Sequence, residues 1–223
     1  MGISPDDVEG LFRSAGAFLE GHFVLSSGRH SPRYLEKFQV LQWPERTERL
    51  CAAIVERVRD LGIETVAGPT TGGIILAHEV GRQLGTRAVY AERAEDGPGR
   101  VFRRGFQLRE GERVLVVDDI MSTGGSVDET IAAVRAAGAT PVAAAVLVDR
   151  SGGTAHTSGV PYFGLWEVAI DSYDPGSCPQ CAKGVPVRKP GTTTATQSSP
   201  RGKVAASEDA GRTRREPKKG SVS

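Results

Sequence analysis

Along the first 190 residues, apolar positions recur with two periods, and the change from one to the other marks the elements. Residues 8–15 carry Val8, Leu11, Phe12 and Ala15 on one helical face. Ser4-Pro5-Asp6-Asp7 precedes them as a helix start, with a Ser cap, Pro in the first turn and acids at the positive end; Gly16 can stop the helix. Residues 18–38 read as a small β-hairpin: FVL, a turn at SSGRHSP, then RYL. Pro44 opens a second helix whose buried stripe is Leu50, Ile54, Val55, Val58 and Leu61. Then the pattern alternates. TVAG is a short strand, PTTGG a loop and 74–84 a helix. RAVYAE (87–92) is a strand, and the polar stretch 93–110 is a long mobile loop or β-excursion. VLVVDD is a strand, IMSTGG a loop, 127–137 a helix and PVAAAVLVDR a strand. Strands alternating with helices predict an α/β fold with a central parallel sheet flanked by helices. Ligands of such sheets bind at the carboxyl ends of the strands, so the loops 68–73, 92–106 and 118–126 and the Asp149-Arg150 end share one edge.

Composition divides the chain further. Residues 188–223 carry nine Lys/Arg and three Asp/Glu and have no aromatic residue, so they hold +6 and the remainder −5. Rich in Gly, Ser, Thr and Pro, this basic tail is expected to be disordered and solvated. The predicted organisation is an N-terminal helix and hairpin "hood" over 1–40, an α/β core over 41–187 and the tail over 188–223. Three cysteines (Cys51, Cys178, Cys181) make no disulfide framework and fit a reducing, cytoplasmic setting. The start, MGISPDD, lacks the basic and apolar regions of a signal peptide, and no window approaches a membrane span.

The chemistry concentrates in VLVVDDIMSTGGS (114–126). A Gly-rich loop running into a helix N-terminus offers backbone N–H groups and a positive dipole end to an anion, and Ser122, Thr123 and Ser126 add hydroxyls. Ser126 and Glu129 also fit a capping box. Carboxylates repel phosphate, so Asp118 and Asp119 must bind something else. The vicinal hydroxyls of a ribose suit them, and a Mg²⁺ ion beside those hydroxyls would offset their charge. Phosphate on one side and a diol on the other describe a ribose 5-phosphate. Neither G-x-x-x-x-G-K-[ST] nor G-x-G-x-x-G occurs, which removes the P-loop and dinucleotide readings.

The same stretch resembles the phosphoribosyl pyrophosphate (PRPP) motif of type I phosphoribosyltransferases. GHFVLSSGRHSPRYLEK (21–37) is similar to the hood segment of the orotate phosphoribosyltransferases, and AGPTTGG (67–73) stands where they place a pyrophosphate loop. LVDRSGG (147–153) matches their strand-end Asp-Arg, and CPQCAKGVPVRKPG (178–191) is like the C-terminus of one bacterial subgroup. The resemblance covers roughly residues 1–190 and implies the type I phosphoribosyltransferase fold. The implied reaction joins orotate to PRPP, giving orotidine 5′-monophosphate and pyrophosphate in pyrimidine biosynthesis, with Mg²⁺ held mainly through PRPP and not by a protein metal site. It implies Asp118, Asp119 and Arg93 as catalytic residues. PRPP would be held by these three with Ile120, Met121, Ser122, Thr123, Gly124, Gly125 and Ser126, and pyrophosphate by Thr70, Thr71 and Gly72. Orotate would meet Ser122, Arg150, Ser26 and Tyr34. A cytoplasmic homodimer is expected, with no membrane or nucleic-acid partner.

Departures from the pattern matter. Ser26 stands where many relatives have lysine; Lys37 is either a substitute charge or an exposed strand-end lysine. Thr71-Gly72 replaces Tyr-Lys. The loop ERAEDGPGRVFRRG is short and lysine-free, keeping Arg93, with Arg100, Arg103 and Arg104 available for pyrophosphate charge. Cys178-x-x-Cys181 is half a zinc site with no second pair in the chain, so a cysteine-containing turn is expected, and His22, His30, His78 and His156 are scattered. Two other readings stay open: a PRPP-sensing regulator that binds DNA, against which the acidic core speaks, and a phosphoribosyltransferase acting on a purine, against which the hood speaks.

Overall fold

Ser4 starts the first helix, α1 (Pro5–Ser14), by a reciprocal cap. Its hydroxyl accepts the Asp7 N–H at 3.2 Å, and the Asp7 carboxylate accepts the Ser4 N–H at 3.0 Å. The computed structural model describes residues 2–25 and 27–190, so Ser26 and most of the expected tail lie outside the described residues. The described residues form one compact unit.

An antiparallel hairpin follows, β1 (Phe18–Val24) and β2 (His30–Leu35), with its register slipping between Glu20 and Phe23. The short α2 (Phe38–Leu41) leads into α3 (Pro44–Val58). Leu50, Ile54 and Val58 of α3 are buried as expected. Leu61 is not part of that stripe: the helix ends at Val58, a 3₁₀ turn carries the chain past it, and Leu61 stands 37% exposed.

The remaining strands are β3 (Thr65–Pro69), β4 (Arg87–Arg93), β5 (Arg100–Phe102), β6 (Arg113–Met121), β7 (Thr140–Asp149) and β8 (Tyr162–Glu167). They form one sheet in the order β5-β4-β3-β6-β7-β8. All neighbours are parallel except β4 and β5, so the sheet is mixed: the polar segment after β4 is a β-excursion that turns back on its own strand. Helices α4 (Gly72–Leu84) and α5 (Gly125–Ala136) cross between strands, and a short α6 (Pro179–Ala182) comes near the end of the described chain.

Alternation along β6 shows why the sheet is covered on both sides. Leu115 and Val117 pack with Leu50, Ile54 and Leu76 in one core, whereas Val114 and Val116 pack with Ile131 and Val134 of α5 in the other. The strand order runs outward in one direction from β3 and in the other from β6. That is a topological switch point, where the loops after adjacent strands diverge and leave a crevice. The loops after β3 and β6 are the two that carry the chemistry predicted above. Among the described residues no helix is long and apolar enough to cross a membrane.

Candidate active site at the switch point

Strand β6 runs four residues beyond its apolar core VLVV, through Asp118, Asp119, Ile120 and Met121. Both aspartates are therefore strand residues, 7% and 2% exposed, not loop residues in water. Burial is the first cause and the adjacent Asp119 charge the second that push the Asp118 carboxyl up to about 7. The Asp119 N–H, donating to Asp118 Oδ1 at 2.8 Å, and the positive charges of Lys37 and Arg100 oppose the shift. Asp119 Oδ1 accepts the Ile120 N–H at 2.7 Å.

The counter-charge for Asp119 comes from the hood. Lys37 Nζ donates to Oδ1 at 2.9 Å and lies 2.8 Å from Oδ2, which has no aligned donor of its own. Lys37 is thus not the exposed strand-end lysine of the two alternatives: its side chain is half-buried and its charge is paired with Asp119. A buried carboxylate oxygen with spare acceptor capacity suits a ligand hydroxyl.

Gly124 turns the chain after β6. Its φ of +87° is left-handed, and a Cβ there would stand 2.4 Å from the His156 carbonyl oxygen, so glycine is required. It is also the N-cap of α5, with no side-chain cap. The expected Ser126–Glu129 capping box does not form. Arg100 engages both residues instead, donating to Ser126 Oγ at 3.3 Å with its Nε 3.3 Å from Glu129. The first-turn N–H groups of α5 are thus left to a ligand.

Arg93, Asp118, Ile120, Met121, Ser122, Thr123, Gly124, Gly125 and Ser126 all line one cavity of about 230 Å³, together with Val127 and Glu129. This brings together every residue assigned to PRPP except Asp119, which sits beneath, between Lys37 and the loop after β3. In that loop Thr70 is half-buried, donating its N–H to Ala91 O at 3.1 Å and accepting from Arg100 Nη1 at 3.2 Å. Thr71 is exposed, and Gly72 is buried as the first residue of α4 rather than as loop.

Of the three arginines proposed for pyrophosphate charge, only Arg100 points inward, bridging the loop after β3 and the start of α5. Arg103 pairs with Glu95, and Arg104 with Glu92 at 2.9 Å. Burial lowers the Arg100 pKa, with Glu129 and Asp118 opposing the shift.

Arg150 follows β7 directly, and its N–H donates to Met121 O at 2.9 Å, tying it to the end of β6. The side chain is half-buried, and desolvation lowers its pKa while Tyr34 opposes the shift. Tyr34 is raised chiefly by its own burial and feels Lys37, Arg150 and Asp119. The hood thus brings Tyr34 and Lys37 to the edge of the sheet where Arg150 stands; Ser26 is outside the described residues. Sequence spacing missed the Lys37–Asp119 pair and the inward turn of Arg100, because neither partner is local.

Comparison with known proteins agrees with this geometry. The phosphoribosyl transferase domain model matches residues 38–175. The chain is 45% identical over 194 residues to an orotate phosphoribosyltransferase of Desulforamulus reducens, covering 87% of this chain and 100% of that protein. It is 48% identical over 190 residues to the orotate phosphoribosyltransferase of Pelotomaculum thermopropionicum, covering 85% and 98%. Among solved structures, the orotate phosphoribosyltransferase from Aeropyrum pernix superposes with a TM-score of 0.60 at 28% identity, covering 72% of this chain and 93% of that one.

Proposed function

The chain belongs to the phosphoribosyltransferase family, in its orotate phosphoribosyltransferase branch, and from this premise we propose how its site carries out the Mg²⁺-dependent transfer of phosphoribose from PRPP to orotate. The supporting observation is a pair of adjacent buried carboxylates at the end of β6, of which Asp118 lines one cavity with an uncapped helix N-terminus. A sugar whose 5-phosphate takes the α5 N-terminus and whose 2- and 3-hydroxyls reach Asp118 and Asp119 satisfies both ends at once.

The reaction breaks the bond from C1 to pyrophosphate and forms one from C1 to a nitrogen of orotate. Positive charge builds on the sugar ring as pyrophosphate leaves. The two carboxylates stabilise that charge, while Arg93, Arg100 and the backbone of Thr70–Gly72 receive the leaving group. Residues 122–126 fix the sugar, which turns an encounter into an oriented attack. Arg150 and Tyr34 hold orotate, with Ser122 beside the base.

The donor set fits Mg²⁺, a hard cation that takes oxygen ligands. Asp118 and Asp119 supply only carboxylate oxygens. PRPP oxygens would supply most of the ligands of the ion, with the two carboxylates beside it. When bound, it neutralises pyrophosphate charge.

We place the enzyme in the cytoplasm, where its three free cysteines stay reduced, and as a homodimer, which sedimentation will test. The assay is orotate consumption with PRPP and Mg²⁺, with purine bases as competitors. Turnover of orotate with release of pyrophosphate is expected; a folded protein that consumes no orotate overturns the proposal.

Arg150→Ala is expected to raise the KM for orotate ten- to a hundredfold, the loss of a charge-assisted bidentate contact of about 1.5–3 kcal/mol. The KM for PRPP should change little. An unchanged KM for orotate removes Arg150 from the base pocket.

A further inference from the structure

In the sequence His22 and His30 stand about 150 residues from the Cys178-x-x-Cys181 turn. In the fold they converge. Their ligand atoms all lie within 4.8 Å of one another. His22 Nε2 is 2.9 Å from His30 Nδ1, 3.4 Å from Cys178 Sγ and 3.7 Å from Cys181 Sγ, and Cys181 Sγ is 3.2 Å from His30 Nδ1. A tetrahedral zinc ion with bonds of about 2.0–2.3 Å sets ligand-to-ligand edges of about 3.3–3.8 Å. Of the six edges, the three sulfur–nitrogen distances above fall at or close to that range, the nitrogen–nitrogen edge has to open by about 0.4 Å, and the remaining two lie within 4.8 Å.

The surroundings select the same ligand atoms. His22 Nδ1 lies 2.7 Å from the Val185 carbonyl oxygen, which can only accept. The proton is therefore on Nδ1, and the Nε2 lone pair faces the cluster, as in zinc sites whose second ring nitrogen is held by a backbone carbonyl. His22 and Cys178 are 2% and 3% exposed, so the centre is shielded, while Cys181 at the rim leaves a route of entry. Two sulfurs and two imidazole nitrogens gathered within 4.8 Å of one another favour zinc over the hard cations.

We propose that these four side chains form a structural zinc site that staples the segment 171–188 to the hood hairpin. The backbone already docks there. His30 and Tyr173 exchange N–H···O bonds at 2.8 Å each, Arg188 N–H donates to His22 O at 2.8 Å, and Val24 N–H donates to Arg188 O at 2.9 Å. Gln180 Nε2 donates to Gly21 O at 2.7 Å. The metal joins two parts of the chain about 150 residues apart, on the hairpin whose second strand carries Tyr34 and leads to Lys37.

The test is metal analysis of the full chain, purified reduced and without chelator, followed by titration of the metal-free protein with zinc and with Co²⁺. The proposal expects one zinc per chain, loss of it in Cys181→Ser and in His30→Ala, and retention in Cys51→Ser. Bound Co²⁺ should give the intense visible bands of a tetrahedral site with thiolate charge transfer. Hydrogen exchange on the full chain should speed up at 171–188 when zinc is removed. A folded wild-type chain that binds no zinc overturns the proposal, as does a Cys181→Ser protein that keeps a full equivalent. Exchange that ignores zinc removal overturns the stapling role.

Discussion

Asp119→Asn is expected to lower kcat/KM for PRPP by at least about a hundredfold, the scale on which a preorganised electrostatic contact acts in a transition state. The carboxylate balances Lys37 in the free protein and the sugar's positive charge during transfer; asparagine keeps the volume and loses both. Asp118→Asn should cost as much, with a signature of its own. With its carboxyl near pH 7, Asp118 is protonated on the acid side of neutrality, so kcat/KM for PRPP should rise as pH increases through about 7 and level off above it. Asp118→Asn should flatten that limb. Stability should move oppositely. An unfolded Asp ionises near pH 3.9, so the folded protein holds the proton more tightly. It loses stability as pH rises from there to about 7. At pH 8 the ligand-free Asp118→Asn protein should therefore melt higher than wild type while being much less active. Equal melting temperatures at pH 8, with an unchanged pH profile, would deny Asp118 its strained position.

Such a trade between stability and function was visible in outline in VLVVDDIMSTGGS. Four apolar residues followed by two acids announce a buried strand ending at a site, and the glycines announce an anion loop. The parts that sequence left open are those that depend on distant partners. Lys37 meets Asp119 across 82 residues, so no spacing rule connects them. The capping box at Ser126 and Glu129 was a correct local pattern defeated by Arg100, which comes in from β5 and takes both side chains. Strand β8 escaped notice because Gly164 interrupts its apolar run. That glycine eases a tight passage beside Asp149, whose Cβ would lie 3.0 Å from a Cβ at 164. Cys178-x-x-Cys181 looked like half a site because the other half lies on a hairpin at the opposite end of the chain.

Gly72→Ala is expected to damage the enzyme nearly as severely as Asp119→Asn, although Gly72 carries no functional group. A Cβ at position 72 would stand 1.8 Å from Asp119 Oδ2 and 2.9 Å from its Cγ. The first turn of α4 thus packs its backbone directly on Asp119, and Gly68 of β3 and Gly73 of α4 approach each other just as closely. An added methyl must either rotate Asp119 away from Lys37 or lift α4 from β3. The first outcome removes the carboxylate from the sugar; the second moves Thr70 and Thr71 from the leaving group. Overpacking of this kind costs about 1–3 kcal/mol, so a lower melting temperature should accompany a fall of roughly a hundredfold in kcat/KM. A double-mutant cycle separates this clash from a general helix effect. With Asp119→Ala the colliding carboxylate is gone, so adding Gly72→Ala should cost little further stability, a non-additivity of about 1–2 kcal/mol between contacting residues. Gly10→Ala on α1, where a Cβ meets nothing within 4 Å, supplies the control and should be neutral or slightly stabilising. Strict additivity at Gly72 and Asp119 would mean that the glycine serves the helix alone. The predicted coupling would place the loop after β3 and the acids of β6 in a single unit, shaped by the absence of one carbon atom.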